Sequence, residues 1–412
     1  MKRIAYILAS LPALSETFIS TEAFAMADLG HDVVPIILAG SQVQAAQTSH
    51  VRLGERAVWL SEVTSRRATR ALLHPSRSAP AGFLFALRQR RLRTRSLIWN
   101  AAKIASVARA RGCEHLHAHF GWAAAAHAIV AARMIGATVS FTTHGADVYV
   151  HPEDLPLKLA AADFTVAVCS DLAADLRRQA QSARVHEVHV GVDPEFFRSS
   201  PQDVADNGRL LFVGRLVEKK GVNDLLAALA ALQPEERPLL DIVGAGLLQD
   251  ELRKKAWELL PGCVRFLGPR TAEWIAAEGP AYRAFVAPFK IAADGDRDTG
   301  PVVVKEAMAM GLPVVATGVM GLAEIVSSGT GFLVEPGDPA ALVQALLRVS
   351  ELDPDERRAI GGRARARVIA QFSTAGSAGL LSALVQAASR PAHGSAVWNL
   401  ARASVSSTGS AE

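Results

Sequence analysis

The sequence predicts an α/β protein made of two consecutive doubly wound domains, each built on a mostly parallel sheet. Three observations predict it. Strand-like apolar runs alternate with helical patterns along the chain, the mark of βαβ units. Of the 412 residues 50% are apolar and 20% charged, so a large core can be buried and a disordered chain is excluded. The alternation pauses once, at Gly191-Val192-Asp193-Pro194 and the polar stretch Ser199–Gly208, and then restarts, as a linker between domains would. Aromatics at 6% suit a helix-rich α/β protein better than a β-sandwich.

The first strand is Arg3–Leu11. Met1-Lys2-Arg3 ahead of Ile4–Leu14 also looks like a signal peptide, but cleavage would strip the first strand and its loop, so the strand reading is preferred. Ser15 can cap a helix over Glu16–Leu29, which Gly30 stops. Strands follow at Asp32–Leu38, Glu114–Phe120, Thr138–Thr143 and Phe164–Cys169, with a helix over Ala123–Met134. Ser76–Gly82, rich in Ser, Arg, Ala, Pro and Gly, reads as a flexible loop. The second series has strands at Arg209–Val213, Leu239–Val243, Val264–Phe266, Ala284–Ala287, Pro313–Ala316 and Gly331–Val334. An amphipathic helix over Thr374–Ala388 closes it, and Arg390–Glu412 holds little that could form a core and is expected to be mobile. The expected division is a first domain at 1–190, a linker at 191–208 and a second domain at 209–371. A C-terminal helix at 372–389 should pack back on the first domain, and 390–412 is a tail.

Charge is unevenly spread. Val63–Cys113 has twelve Lys or Arg and no Asp or Glu, so this block carries +12 within a chain of net +4. Such a block marks an anionic partner or surface. Three readings of Arg88–Arg95 compete: a solvated face, nucleic-acid binding, and a helix lying on an anionic bilayer with Phe83, Phe85 and Trp99 as anchors. No aromatic stacking platform accompanies the run, so no nucleic acid is expected. Cys113, Cys169 and Cys263 form no C-x-x-C pair, which argues for a reducing compartment and against a disulfide framework. No apolar run reaches the ~18–20 residues of a spanning helix, and the expectation is a cytoplasmic protein.

Chemistry is sought in the loops at the carboxyl ends of strands, where doubly wound sheets bind ligands. Asp298-Thr-Gly-Pro-Val-Val-Val-Lys-Glu306 places two carboxylates eight positions apart across a Gly-Pro turn that opens a helix. Each could accept a pair of vicinal hydroxyls, on a sugar ring and a ribose. An ordinary helix with a capping Asp explains the segment equally well. Phe212-Val-Gly-Arg-Leu-Val-Glu-Lys-Lys-Gly221 is a strand end and turn whose Arg215 and Lys220 could face a diphosphate. Ile242-Val-Gly-Ala-Gly246 is a further Gly-rich strand-to-helix turn, weak evidence by itself. Asp294-Gly-Asp-Arg-Asp298 opens like a calcium loop, but Thr299 and Lys305 stand where that loop needs Gly and Glu. His115, His117 and His119 alternate along a strand and could ligate zinc, or bond sugar hydroxyls.

These elements, in this order, resemble the retaining nucleotide-sugar glycosyltransferases of glycosyltransferase family four, also called group 1. Ala9-Ser-Leu-Pro-Ala-Leu-Ser-Glu-Thr-Phe-Ile19 and His117-Ala-His-Phe-Gly121 look most like the bacterial exopolysaccharide enzymes of colanic-acid type. Phe141-Thr-Thr-His-Gly-Ala-Asp147 is similar to the family's His-Gly loop, and Gly191-Val-Asp193 to its linker. The resemblance covers nearly the whole chain and implies the GT-B fold, two Rossmann-like domains facing across a cleft. It implies that Arg215 and Lys220 bind the donor diphosphate and offset leaving-group charge. Glu306 would hold the ribose, Asp298 would meet donor-sugar hydroxyls, and His144 would face the donor sugar from the other domain. Gly244, Gly246, Thr299, Gly300, Pro301 and Val302 would line the nucleotide-sugar site, with Ser15, Glu16, Thr17 and His119 on the acceptor side. The implied partners are a nucleotide-sugar donor and a saccharide or lipid-linked saccharide acceptor, with no cofactor and no metal. Residues 63–113 would rest on the inner face of the cell membrane. One departure bears on donor choice: the family usually has Glu where this chain has Asp298, and commonly Gly where it has Thr299. An epimerase or hydrolase on the same fold, and a two-lobed sugar-binding protein, are the rival readings.

Overall fold

The structure is a computed structural model and describes residues 1–10, 17–40, 48–198 and 206–388. It divides into two compact units, Met1–Val188 with the chain from Ser377, and His189–Gly376. Ser15, Glu16, most of the polar stretch 199–208 and the tail 390–412 lie outside the described residues.

The first unit runs β1 (Arg3–Leu8), α1 (Thr17–Asp28), β2 (Asp32–Ile37), α2 (Thr48–Glu55), β3 (Val58–Trp59), α3 (Ser65–Leu73), α4 (Ala79–Arg88) and α5 (Thr94–Ala110). It continues through β4 (His115–His119), α6 (Ala123–Ile135), β5 (Thr138–Thr143), α7 (Ala146–Tyr149), α8 (Leu155–Ala161), β6 (Phe164–Ala167), α9 (Ser170–Gln179) and β7 (Val185–Glu187). Its parallel sheet has the order β3-β2-β1-β4-β5-β6-β7, which reverses direction between β1 and β4. The register sets Tyr6 beside His117, and His117 beside Ser140. Strands β1, β4, β5 and β6 are buried almost throughout; β1 reads as a continuous apolar run, whereas β4 and β5 alternate His, Ser or Thr with apolar residues. Gly30, at φ +88°, ends α1 in the left-handed conformation that glycine adopts at low cost.

The second unit runs β8 (Arg209–Val213), α10 (Val222–Ala230), β9 (Leu239–Val243), α11 (Gln249–Leu259), β10 (Val264–Gly268), α12 (Ala272–Glu278) and β11 (Ala284–Ala287). It continues through α13 (Val302–Ala309), β12 (Val314–Thr317), α14 (Leu322–Ile325), β13 (Gly331–Val334), α15 (Pro339–Glu351) and α16 (Pro354–Gln371). Its parallel order, β10-β9-β8-β11-β12-β13, reverses between β8 and β11. Asp338 and Asp353 cap α15 and α16 by accepting first-turn backbone N–H groups. At the amino end of this sheet Asp241 is fully buried and accepts from Arg209 Nε at 2.7 Å and Tyr282 Oη at 2.8 Å. That cluster is structural, since ligand loops lie at the other end.

A final helix, α17 (Thr374–Ala387), puts Ala378, Leu381 and Val385 into the same cluster as Ile4, Tyr6 and Ile19 of the first unit. Lys2 Nζ donates to the Val385 carbonyl at 2.7 Å, placing a cation on the last carbonyls of that helix. Where the chain passes Ser373–Thr374, a side chain at Gly191 would meet the Thr374 Cα at 2.5 Å. Glycine is therefore required in Gly191-Val192-Asp193.

Three expectations need correction, and two strands had not been expected. Ser76–Gly82 is not a flexible loop. Ser76 and Ser78 both donate to the Arg133 carbonyl, α4 starts at Ala79, Pro80 sits in its first turn, and Gly82 lets α4 approach Arg133 of α6 closely. Phe85 is no surface anchor, being 2% exposed in the core. The exposed apolar residues of this region are Leu73, Leu84 and Leu87. Strands β3 and β7 had no sequence signal because they are edge strands of two and three residues. The first strand ends at Leu8 rather than Leu11. Among the described residues no helix is long and apolar enough to cross a membrane.

Candidate functional site

In the second unit the loops after β8 and β11 meet at the strand-order reversal, the position where doubly wound sheets bind ligands. Gly221, at φ +65°, brings them together: a Cβ there would lie 1.7 Å from the Pro288 carbonyl oxygen. Lys290 N donates to the Lys219 carbonyl at 2.9 Å and Ala293 N to Glu218 Oε1 at 3.1 Å, zipping the loops. On this frame Lys220 Nζ stands 2.8 Å from Asp298 Oδ2 and 3.9 Å from the centre of the Phe289 ring. Lys219 Nζ pairs with Asp296 at 3.0 Å and lies 3.7 Å from Asp298. Burial pushes the Asp298 carboxyl up, but Lys220 and Lys219 outweigh it and hold it below the usual aspartate range. Burial also lowers the Lys220 ammonium, and Asp298 restores only part of that loss. Arg215 is exposed and close enough for its charge to act on both, with no carboxylate partner among the described residues.

The chain then turns through Thr299, Gly300 and Pro301 into α13, whose first residue is Val302. Thr299 is 3% exposed, and Glu306 sits one turn into the helix. Burial alone pushes its carboxyl up to about 7, and no cation pairs with it among the described residues. Its neighbour Lys305 is fully buried and donates to the Val190 carbonyl at 2.7 Å. Gly244 and Gly246 have a packing duty: a Cβ would meet the Gly214 oxygen at 1.9 Å and the Leu216 oxygen at 2.4 Å. They let the turn after β9 lie on the loop that carries Arg215.

The first unit gathers a second cluster at its own reversal, between β1 and β4. Tyr6 Oη donates to Glu22 Oε1 at 2.9 Å, while His119 Nε2 stands 3.2 Å and His117 Nε2 3.7 Å from that same oxygen. His119 Nδ1 meets His144 Nε2 at 3.1 Å. Asp147, fully buried, accepts from the backbone N–H of His144 at 2.9 Å and of Gly121 at 2.7 Å, and so holds the His-Gly turn. Burial opposes the Glu22 charge, yet His119, His117 and Tyr6 together hold its carboxyl down to about 2. Burial lowers His144 well below the usual histidine value and His117 to about 3. Phe18 and Phe120 flank His144, with ring centres at 4.7 and 4.6 Å. Phe120 itself is held at φ +66°, a strained conformation for so bulky a residue, and stacks on Trp122 at 5.0 Å.

Arg215, Lys220, Asp298 and Glu306 thus belong to one end of the second sheet, and His119 and His144 to one end of the first. Thr17 opens α1. His119 is 2% exposed, with both ring nitrogens facing His144 and Glu22. The three alternating histidines do not share a ligand point, since His115 is spent on Thr138 and Ser140 hydroxyls at 2.7 Å each. Glu22, His117 and His119 could offer a metal one atom apiece within 4.8 Å of one another, though His117 already bonds Ser140 and Thr142. The calcium-like run does not form a ligand ring, because Asp296 and Asp298 face lysines. Sequence reasoning missed Glu22. Its signal was a carboxylate at a core-facing position of α1, three residues after Ile19 and four before Met26, both buried.

Residues 207–351 match the glycosyl transferases group 1 family. The chain is 30% identical over 267 residues to the amylovoran biosynthesis glycosyltransferase AmsK of Erwinia amylovora, covering 62% of this chain and 65% of that one. It is 27% identical over 400 residues to the putative colanic acid biosynthesis glycosyltransferase WcaL of Escherichia coli K12, covering 90% and 96%. Among solved structures, HepE of Anabaena in complex with UDP superposes with a TM-score of 0.71 at 19% identity, over 93% of this chain and 99% of that one. Sucrose-phosphate synthase of Thermosynechococcus elongatus gives 0.69 at 20% identity, over 94% and 98%. At such identities the likeness to the solved structures is one of fold, the GT-B fold.

Proposed function

Residues 207–351 match the group 1 glycosyl transferases and the chain is similar to exopolysaccharide biosynthesis enzymes, and on that likeness we propose that it is a glycosyltransferase that moves a sugar, with retention, from a nucleoside-diphosphate sugar to a saccharide hydroxyl. The observation that carries the reading is the basic pair at the second sheet's reversal. Arg215 brings an uncompensated guanidinium fork, and Lys220 a buried ammonium beside the turn into α13. As the nucleoside diphosphate departs, negative charge grows on its phosphate oxygens, and preorganised cations stabilise it without solvent reorganisation. This pair stands in for a metal, and no cofactor is invoked. Glu306 accepts the ribose hydroxyls. Asp298 orients Lys220 and takes hydroxyls of the donor sugar, and His144 is a further group for a sugar hydroxyl. No carboxylate nucleophile is assigned, so attack occurs on the face the leaving group vacates. The lipid-linked form of the acceptor, and an anionic membrane surface under residues 63–113, belong to the same proposal. Its support is the exposed Arg66, Arg67, Arg70, Arg90, Arg91 and Arg93 together with Leu73 and Leu87, 71% and 67% exposed.

Incubation with a panel of nucleotide sugars and saccharide acceptors tests the reading. Free nucleoside diphosphate with a glycosylated acceptor of unchanged anomeric configuration is expected. Altered sugar alone would mean an epimerase, free sugar a hydrolase, and tight binding without turnover a binding protein.

A further inference from the structure

The reversal between β1 and β4 gathers a donor set with no part in offsetting leaving-group charge. Glu22 Oε1 lies 3.2 Å from His119 Nε2 and 3.7 Å from His117 Nε2, and the three residues each offer one donor atom within 4.8 Å of the others. A tetrahedral ion with bonds of about 2.0–2.2 Å holds its ligand atoms about 3.3–3.6 Å apart. The two separations bracket that range. His119 is 2% exposed, and its Nε2 is a buried ring nitrogen without a hydrogen bond, Glu22 Oε1 being near but poorly aligned. A buried polar atom in that state is costly unless something else binds it.

The opposite ring nitrogens are already held. His117 Nδ1 meets Ser140 Oγ at 2.8 Å and His119 Nδ1 meets His144 Nε2 at 3.1 Å, the kind of outer contact that fixes the rings of metal-bound histidines. Tyr6 Oη donates to Glu22 Oε1 at 2.9 Å, and a carboxylate oxygen keeps a second lone pair for an ion. One bond has to give way, the 3.2 Å contact of the Thr142 hydroxyl with His117 Nε2, which is long for a hydroxyl donor. Glu22 supplies the entry path, its side chain 24% exposed against 1% for each histidine. From this geometry we infer that Glu22, His117 and His119 bind one Zn2+, which ties α1 to the end of β4 and carries water on its fourth position. Two imidazoles and one carboxylate are a set that zinc uses with one position open. Fe2+ takes the same donors but keeps several positions open, which suits two nearly enclosed rings poorly. The inference stands apart from the proposed transfer, in which Arg215 and Lys220 remain the groups that offset charge.

The test is titration of the full, tag-free chain with Zn2+ alone, after dialysis against a chelator, followed by calorimetry and by the melting temperature. One Zn2+ per chain and a raised melting temperature are expected, because an ion that binds only the folded chain stabilises it. Co2+ in its place should give the intense visible bands of a four- or five-coordinate site. S140A, which removes the outer contact of His117, should weaken Zn2+ binding by ~10- to ~100-fold. E22A and H119A, which remove ligands, should weaken it further. H74A, which removes an exposed histidine, should leave it unchanged. X-ray absorption of the wild-type zinc complex should show two imidazoles with oxygen as the remaining ligands, a reading that needs no variant to fold. No stoichiometric Zn2+ on the wild-type chain overturns the inference, and so does full affinity in E22A or H119A. Sulfur ligands, a single imidazole or a six-coordinate Co2+ spectrum overturn it as well. Every readout is taken without any sugar, so failure of the transfer reading would leave the zinc site standing, and the reverse holds too.

Discussion

At the residue scale, Arg215 and Lys220 differ in what their loss should do. Arg215 is exposed and holds no carboxylate among the described residues, so R215A should leave the melting temperature unchanged. Its turnover should fall by roughly 10²-fold if it stabilises the leaving diphosphate. Lys220 holds Asp298 at 2.8 Å inside the loop, so K220A should lose a similar factor in turnover and also about 1–3 kcal/mol of stability, because a largely buried carboxylate loses its nearer cation and keeps only Lys219 at 3.7 Å. Calorimetry and steady-state kinetics on both variants check the split. A fully active R215A or K220A would remove that residue from the diphosphate site.

Glu306 makes a prediction of opposite sign to the usual surface acid. Its carboxyl is raised from an ordinary 4.5 to about 7 by burial. Below pH 4.5 the folded and unfolded chains both hold the proton, so nothing is lost. As pH rises toward 7 the unfolded chain ionises freely while the folded one resists, and the stability contributed by the protonated group disappears. E306Q never ionises. Its melting temperature should therefore gain on the wild type between pH 5 and pH 8, with most of the gain below 7. A constant difference across that range would refute the burial of this carboxyl. E306A should chiefly raise the donor KM, since ribose contacts change little along the reaction.

At the element scale, the turns after β8, β9 and β11 are held together by glycines with no room for a methyl group. Gly244 is the sharpest case, at φ +135° and with the Gly214 oxygen 1.9 Å from any Cβ. Gly262 is a useful control, at φ +79° with nothing within 4 Å. G262A should cost only the conformational penalty of about 1–2 kcal/mol. G244A should add an overpacking cost of about 1–3 kcal/mol and loosen the loop that carries Arg215, lowering turnover as well. Urea unfolding of both variants measures the difference. Equal losses would mean that the close approach of these turns carries no energy.

At the scale of the whole molecule, the charge of +12 over residues 63–113 is resolved into two parts. Lys103 and Arg109 are tied to the Leu60 and Met134 carbonyls, whereas the arginines of α3 and of 90–95 are exposed. Each basic side chain that reaches an anionic surface contributes about 1 kcal/mol. Binding to anionic vesicles is therefore expected at low salt. It should fade as the Debye length shrinks from about 10 Å at 0.1 M to about 3 Å at 1 M. Co-sedimentation with anionic and neutral vesicles checks it, with R66A/R67A/R70A and L87A as weakened variants. Equal recovery on both vesicle types, or none on either, would leave the block as a solvated face.

The parallel architecture was legible in the sequence because strands buried on both faces are written as unbroken apolar runs. Arg209–Val213, Leu239–Val243 and Ala284–Ala287 appear in the structure at the bounds read from the sequence. Local chemistry was legible for the same kind of reason: Gly30 at a helix end and the Asp298–Glu306 segment each lie within one loop or turn. What required the tertiary structure was everything set by neighbours distant in sequence. The α4 start at Ala79 depends on Arg133, more than fifty positions away, so Ser76–Gly82 by itself resembles a loop. Phe85 reads as a surface anchor until packing buries it. Glu22 meets Tyr6, His117 and His119 only because the strand order reverses between β1 and β4. Periodicity and turn chemistry are local properties of a chain. The pairing of a lysine with an aspartate seventy-eight residues on, or of a carboxylate with two histidines of another element, is decided by sheet order and register, which no single segment encodes.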